Sequence, residues 1–247
     1  MDNTRINKLS ASIQGELELL YNSLFRQGFD LNKYSSEIKI DSDGVDKLSS
    51  YLILLEKWNK SHDLVGPGTS ESYIVPHIID SLASLIVLRC NGVIPDVLKN
   101  NQEVNTKSIF VDIGSGAGLP GIVWSIFYGL SFSFILIEPR AKRINFLKEC
   151  IRVLELTNTE AIENRANFLP NVLSKVTFDK AFITLRAIKP DKSVLGGLEL
   201  LNNCRFIWLT GPNTAPDHST WRELEWREEA FYSLGMNGEL GRRVYIL

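Results

Sequence analysis

At 247 residues, with 44% hydrophobic and 23% charged residues and a formal net charge of −2, the chain has the composition of a globular protein with one large domain, or one domain and an appendage. No apolar run is long enough to span a bilayer, and the opening stretch MDNTRINKLSASIQGELELL is too polar for a secretory signal, so a cytoplasmic setting is expected. Cys90, Cys150 and Cys204 are odd in number and far apart, which reads as free thiols in a reducing compartment, and His62, His77 and His218 lack metal-site spacing, so no metal is expected.

Residues 1–90 are helical in pattern. Ile13, Leu17, Leu20, Leu24 and Phe25 fall on one face at helical spacing, and Val45, Leu48, Tyr51, Leu52, Leu55 and Trp58 repeat the pattern after a polar break. Gly66-Pro67-Gly68 forces a loop. A third helix is expected from about Glu71 to Leu88, with Pro76 near its first turn or kinking it. These residues read as an N-terminal helical cap (1–90), joined by a polar linker (91–107) to an α/β domain (108–247).

That domain is organised around Ser108 to Gly121, SIFVDIGSGAGLPG. A short β-branched run, Ile109 to Ile113, predicts a buried parallel strand. Gly114, Gly116 and Gly118 follow at every second position, where a sharp turn must let a ligand approach backbone without meeting a Cβ. Pro120 suits the first turn of the next helix. Strand, glycine turn and helix N-terminus together make a nucleotide-type cofactor corner.

Gly116, Gly118 and Gly121 satisfy the dinucleotide spacing G-x-G-x-x-G, which leaves NAD open. In that fingerprint, however, the first glycine follows the strand directly. Here Gly114 takes that place and Asp112 lies inside the strand end, where a carboxylate would repel a pyrophosphate but suit a sulfonium and an α-amino group. Hydrophobic–Asp–hydrophobic–Gly-x-Gly-x-Gly resembles the first motif of S-adenosylmethionine (AdoMet) methyltransferases. Glu138 ends the next apolar run, FSFILIE, where a ribose-binding carboxylate belongs in either family. A glycine turn that serves packing alone is the bland alternative.

From Ile109 onward, strand-like runs (Ile109–Ile113, Phe132–Ile137, Glu160–Glu163, Lys180–Leu185, Arg205–Leu209) alternate with helical ones (Leu119–Tyr128, Ala141–Leu156, Phe168–Val176, Asp191–Asn202). That alternation predicts a Rossmann-like α/β fold, a mostly parallel seven-stranded sheet with helices on both faces. Two closing strands near Trp226–Leu234 and Arg242–Leu247 would add an antiparallel edge. Ligands bind beyond the carboxyl ends of such strands, which gathers Gly114, Ser115, Gly116, Gly118, Leu119, Glu138, the Asn164–Arg165–Ala166 turn and Arg186 around one crevice.

The string VDIGSGAGLPGI is similar to the motif of the RsmG (GidB) family, which methylates N7 of a guanine in small-subunit ribosomal RNA. LEKWNKSHDL, VPHIIDSL, PRAKRINFLKE and ITLRA resemble that family's K-W-N-K-x-x-N-L, H-x-x-D-S, G-K-R-x-x-F-L and S-R-A segments, so the likeness covers most of the chain. The resemblance implies a class I methyltransferase with AdoMet as cofactor and ribosomal RNA or the small ribosomal subunit as partner. It also puts His77, Asp80 and Arg186 at the mouth of the crevice as catalytic candidates. The Leu-Lys-Gly that the family carries after its fifth strand is Leu209-Thr210-Gly211 here, which keeps a small-molecule acceptor (a metabolite, sugar or peptide) as the alternative. A non-catalytic AdoMet- or RNA-binding module and an NAD-dependent oxidoreductase are the further readings.

Several of these residues also have purely structural readings. His77, Asp80 and Ser81 share one helical face, which equally suits a polar network capping the sheet, and Arg186 would then be a salt-bridge partner of Asp80 or Asp112. Arg140, Lys142 and Arg143 open a helix, where cations are electrostatically unfavourable, and so point to an external anion. With Arg242 they are the substrate-binding candidates. Between Arg140 and Lys192, eleven Lys or Arg stand against six Asp or Glu, a modest footprint for phosphate. Residues 217–229 are acidic, with Trp221 and Trp226 interleaved; Trp221 could stack on a base or simply pack.

Overall fold

A computed structural model describes residues 3–31, 40–66, 71–94, 107–129, 132–188, 190, 203–214, 227–234 and 240–247. The expected helix at 191–202, most of the 91–107 connection, Pro67, Gly68, His218 and both tryptophans at 221 and 226 lie outside the described residues.

Three helices come first: α1 (Asn3–Arg26), α2 (Ser42–His62) and α3 (Glu71–Cys90). Leu9, Ile13, Leu17, Leu20 and Leu24 form the buried stripe of α1. Phe25, expected on that stripe, is 58% exposed, because it lies next to the stripe's last member, about 100° around the helix. On α2, Asp41 is the N-cap and its carboxylate accepts from the Gly44 N–H at 2.8 Å. α2 ends at Asp63 in the left-handed region, and Asn59 ties the exit by accepting from Leu64 and Val65 N–H and donating to Gly66 O. α3 contains Pro76 within its span and ends two residues later than expected.

The sheet contains β1 (Ser108–Ile113), β2 (Ser133–Glu138), β3 (Thr159–Glu163), β4 (Lys180–Arg186), β5 (Cys204–Thr210), β6 (Arg227–Leu234) and β7 (Leu240–Ile246), in the order β3-β2-β1-β4-β5-β7-β6. The first five are parallel, and β7 enters antiparallel between β5 and β6. Between the strands lie α4 (Gly121–Tyr128), α5 (Ala141–Val153) and the short α6 (Leu169–Leu173), which a 3₁₀ turn precedes. Pro120 is the N-cap of α4, one position earlier than expected.

Period-two alternation sends β1 side chains to two different cores. Ile109, Val111 and Ile113 join Ile183, Leu185 and Trp208 on the face covered by Leu169, Val172 and Leu173 of α6. Phe110 faces the other way and stacks between Phe134 and Phe182, with centroids 5.1 and 5.2 Å apart. Trp124 and Tyr128 of α4 close over it, and this core is continuous with the apolar stripes of α1, α2 and α3. The helical cap and the α/β part thus share one interior.

The last strand to join the sheet, β6, is an edge. Gln27, just past α1, donates to Ser233 O at 2.9 Å and accepts from Ser233 N–H at 2.8 Å, while Asn91 donates to Glu229 O.

Phe110→Ala should cost about 3–5 kcal/mol, since it empties the centre of the aromatic stack. Urea unfolding followed by circular dichroism checks this.

Candidate active site

Parallel register brings the carboxyl ends of four strands side by side. Ile113 of β1 pairs with Ile137 of β2 and Leu185 of β4, and Glu138 pairs with Glu163 of β3. The glycine corner, Glu138, the Asn164–Ala166 turn and Arg186 therefore emerge on one rim, as the alternating pattern predicts.

The corner is built on positive φ angles: +68° at Gly114, +56° at Gly116 and +89° at Gly118. Gly114 and Ser115 donate their N–H groups to Ile137 O, and Gly118 N–H closes back on Ser115 O. A side chain at Gly118 would collide with Ile122. The space beside Gly114 is filled by Ile188, which reaches back from the end of β4; Ala187, at φ +57°, makes that return possible. At Gly116 a Cβ would meet only the guanidinium end of Arg143 at 3.2 Å and Gly114 O at 3.6 Å.

Asp112 sits beneath the corner. It is buried, and its carboxylate accepts from the Gly121 N–H at 3.1 Å, at the start of α4, and from the Thr184 hydroxyl at 2.8 Å. Burial pushes its carboxyl up to about 6, against the hydrogen bonds from Thr184 and Gly121 that favour the anion. Glu138, also buried, accepts from Gly116 N–H and Arg140 N–H, each at 3.0 Å, so its two oxygens bridge the glycine turn and the entry to α5. Arg165 is exposed and Ala166 and Leu119 are half-buried beside this rim. Asn164 N–H donates to Glu138 O.

A second cluster lies next to it, over the ends of β4, β5 and β7. Arg186, the last residue of β4, donates to Asp80 Oδ2 at 2.7 Å and to Ser81 Oγ at 2.7 Å. Arg242 Nε on β7 lies 3.0 Å from both Asp80 oxygens, and the Tyr232 hydroxyl of β6 donates to Asp80 Oδ1 at 3.3 Å. Trp124 of α4 donates its indole N–H to Ser81 O at 2.7 Å and so fixes this turn of α3. A cavity of about 210 Å³ lies here, lined by His77, Asp80, Arg186, Thr210, Tyr232 and Arg242 among others. Of the three arginines that line it, Arg186 and Arg242 share Asp80 and Arg243 pairs with Glu228, which leaves a surplus positive charge. Burial, reinforced by Arg186, lowers the His77 pKa, so its ring is neutral at pH 7.

The salt bridge weighed for Arg186 forms, with Asp80 and not Asp112 as partner. Arg242 is a member of the same ion cluster. Arg140 and Lys142 are exposed at the start of α5, while Arg143 folds over Gly116. Tyr232 and Thr184 were not legible as site residues, since each acts through strand order that pattern alone does not give. Among the described residues no group of His, Cys, Asp and Glu could hold a metal ion, and no helix is long and apolar enough to cross a membrane.

A profile described as rRNA small subunit methyltransferase G, GidB, matches residues 45–210, from α2 to the end of β5. The chain belongs to that family. The ribosomal RNA small subunit methyltransferase G of Legionella pneumophila is 34% identical over 198 residues, covering 78% of this chain and 84% of that one. Its counterpart in Desulfotalea psychrophila is 32% identical over 178 residues, covering 71% and 73%. Among solved structures, the human methyltransferase 10 domain containing protein superposes with a TM-score of 0.51 at 12% identity over 81% of this chain and 95% of that one, a likeness of fold alone. Membership makes the chain an AdoMet-dependent methyltransferase.

The Asp112 carboxyl titrates near 6 in the fold and near 3.8 when unfolded. The folded state holds that proton more tightly, so the stability it contributes is full below pH 3.8 and is lost as pH rises through about 6. Asn at this site keeps an acceptor for Gly121 and offers an N–H to Thr184 without a proton to lose. Asp112→Asn should therefore gain about 3 kcal/mol on wild type between pH 4 and pH 8, read from urea unfolding at the two pH values.

Proposed function

We propose that this methyltransferase acts in the cytoplasm on N7 of a guanine in small-subunit ribosomal RNA. Family membership supports the reading. The observation in this molecule that carries it is the cavity where two guanidiniums, Arg186 and Arg242, share the one carboxylate of Asp80, one strand away from the glycine corner. Surplus positive charge there favours an anionic or carbonyl-bearing acceptor over a neutral or cationic one.

The corner fits AdoMet: only the far end of the flexible Arg143 side chain and Gly114 O lie where a Cβ on Gly116 would be, and Glu138 keeps acceptor capacity beyond its two backbone hydrogen bonds. In this reading Gly114, Ser115, Gly116, Gly118 and Leu119 form the floor, Glu138 takes ribose hydroxyls, and Arg165 and Ala166 flank the base. Asp112 holds the corner from below. When bound, AdoMet supplies an electrophilic methyl on a sulfonium. Guanine N7 carries a lone pair and no proton, so this chain need provide no general base, in keeping with a neutral His77.

What the side chains provide is position. Arg186 and Arg242, held by Asp80, present N–H groups to a guanine O6 or a neighbouring phosphate. Exposed Arg140 and Lys142 meet more distant phosphates.

Incubation with labelled AdoMet and unmethylated small ribosomal subunits, followed by nuclease digestion, should give labelled 7-methylguanosine. Label in a metabolite or protein fraction with none in RNA would overturn the reading. Arg186→Ala should bind AdoMet as wild type does yet turn over about ten- to a hundredfold more slowly, the loss expected for one or two charge-assisted hydrogen bonds. Equilibrium binding and steady-state kinetics check this.

A further inference from the structure

We propose that Tyr51, on α2 of the helical cap, is a positioning residue for the AdoMet corner; this rests on the reading that the glycine turn holds the cofactor. Tyr51 is fully buried, and its hydroxyl donates to Ala117 O at 2.7 Å, in the middle of Gly116-Ala117-Gly118. Its ring lies 6.4 Å from that of Phe146 on α5, and Trp58, two turns further along α2, packs on the other part of Phe146 at 5.7 Å. α5 is the helix that begins just beyond Glu138, and its Leu147 packs at Gly118. One cap side chain thus touches both walls of the cofactor site, the glycine turn by its hydroxyl and the helix after Glu138 by its ring.

The turn needs such a prop. Three of its five residues are glycines at positive φ, with a large entropy to lose on ordering. The Ala117 carbonyl meets the Tyr51 hydroxyl inside the apolar cluster that Tyr51, Phe146 and Leu147 share. Without the hydroxyl it would be a buried acceptor with no donor, and the turn would rotate to find one. The neighbouring Gly116 N–H, which meets Glu138, moves with the same peptide chain.

Tyr51→Phe keeps the ring and its contacts and removes only the donor. By calorimetry on the full chain, AdoMet and S-adenosylhomocysteine should bind roughly tenfold more weakly. In kinetics the KM for AdoMet should rise by a similar factor, with kcat at saturating AdoMet and the KM for RNA near wild type. Ser49→Ala is the control. Ser49 lies on the same helix, and its buried hydroxyl meets Val45 O and Ser10 on the α1 side, so its loss should lower the melting temperature without moving AdoMet affinity. Wild-type affinity in Tyr51→Phe, or equal weakening in both variants, would overturn the proposal while leaving the methyltransferase reading intact. Failure of the wild-type protein to bind AdoMet would remove both.

Discussion

Asp80 is the one carboxylate on which the site's geometry depends. Arg186 reaches it from β4, Arg242 from β7 and Tyr232 from β6, while Asp80 itself belongs to α3. Four separately folded elements are therefore tied at a single buried point. Such a cluster costs desolvation, which is repaid only when each charge is well placed. The bidentate approach of Arg242 and the 2.7 Å contact of Arg186 meet that condition. The cluster is one negative charge short of neutral.

Two other acidic residues on the rim have different work, set by what surrounds them. Asp112 takes its hydrogen-bond partners from a helix N-terminus and a threonine and feels Arg186 only at a distance, so burial dominates and its carboxyl rises. It acts as a peg beneath the corner. Glu138 accepts one hydrogen bond from the glycine turn and one from Arg140 N–H, which fixes the spacing between that turn and the entry to α5. The sequence-based reading gave both residues direct contact with the cofactor. In the fold Asp112 lies buried beneath the corner, with its oxygens on the Gly121 N–H and the Thr184 hydroxyl.

Local signals were legible where local rules operate. The glycine corner, the five parallel strands and the buried stripes of α1 and α2 follow from residue spacing, and the closing antiparallel pair was visible in its alternation. Less was legible where strand order decides. Nothing in the spacing between Asp80 and Arg242, 162 residues apart, says that β7 inserts beside β5 and delivers that guanidinium to the cluster. Tyr232 reaches Asp80 for the same reason. Ile188 filling the space beside Gly114 depends on Ala187 adopting a left-handed conformation that alanine does not advertise. Phe25 shows the opposite failure, an apolar residue near a buried stripe that faces water.

The pairing of Gln27 with Ser233 bears on how this sheet stays solitary. A primary amide that both donates to and accepts from one residue of β6 copies what a neighbouring strand's peptide unit would do, and Asn91 covers a further carbonyl along the same strand. Two side chains from the helical layer thus impersonate the missing eighth strand. They occupy backbone groups that would otherwise invite a second molecule to extend the sheet.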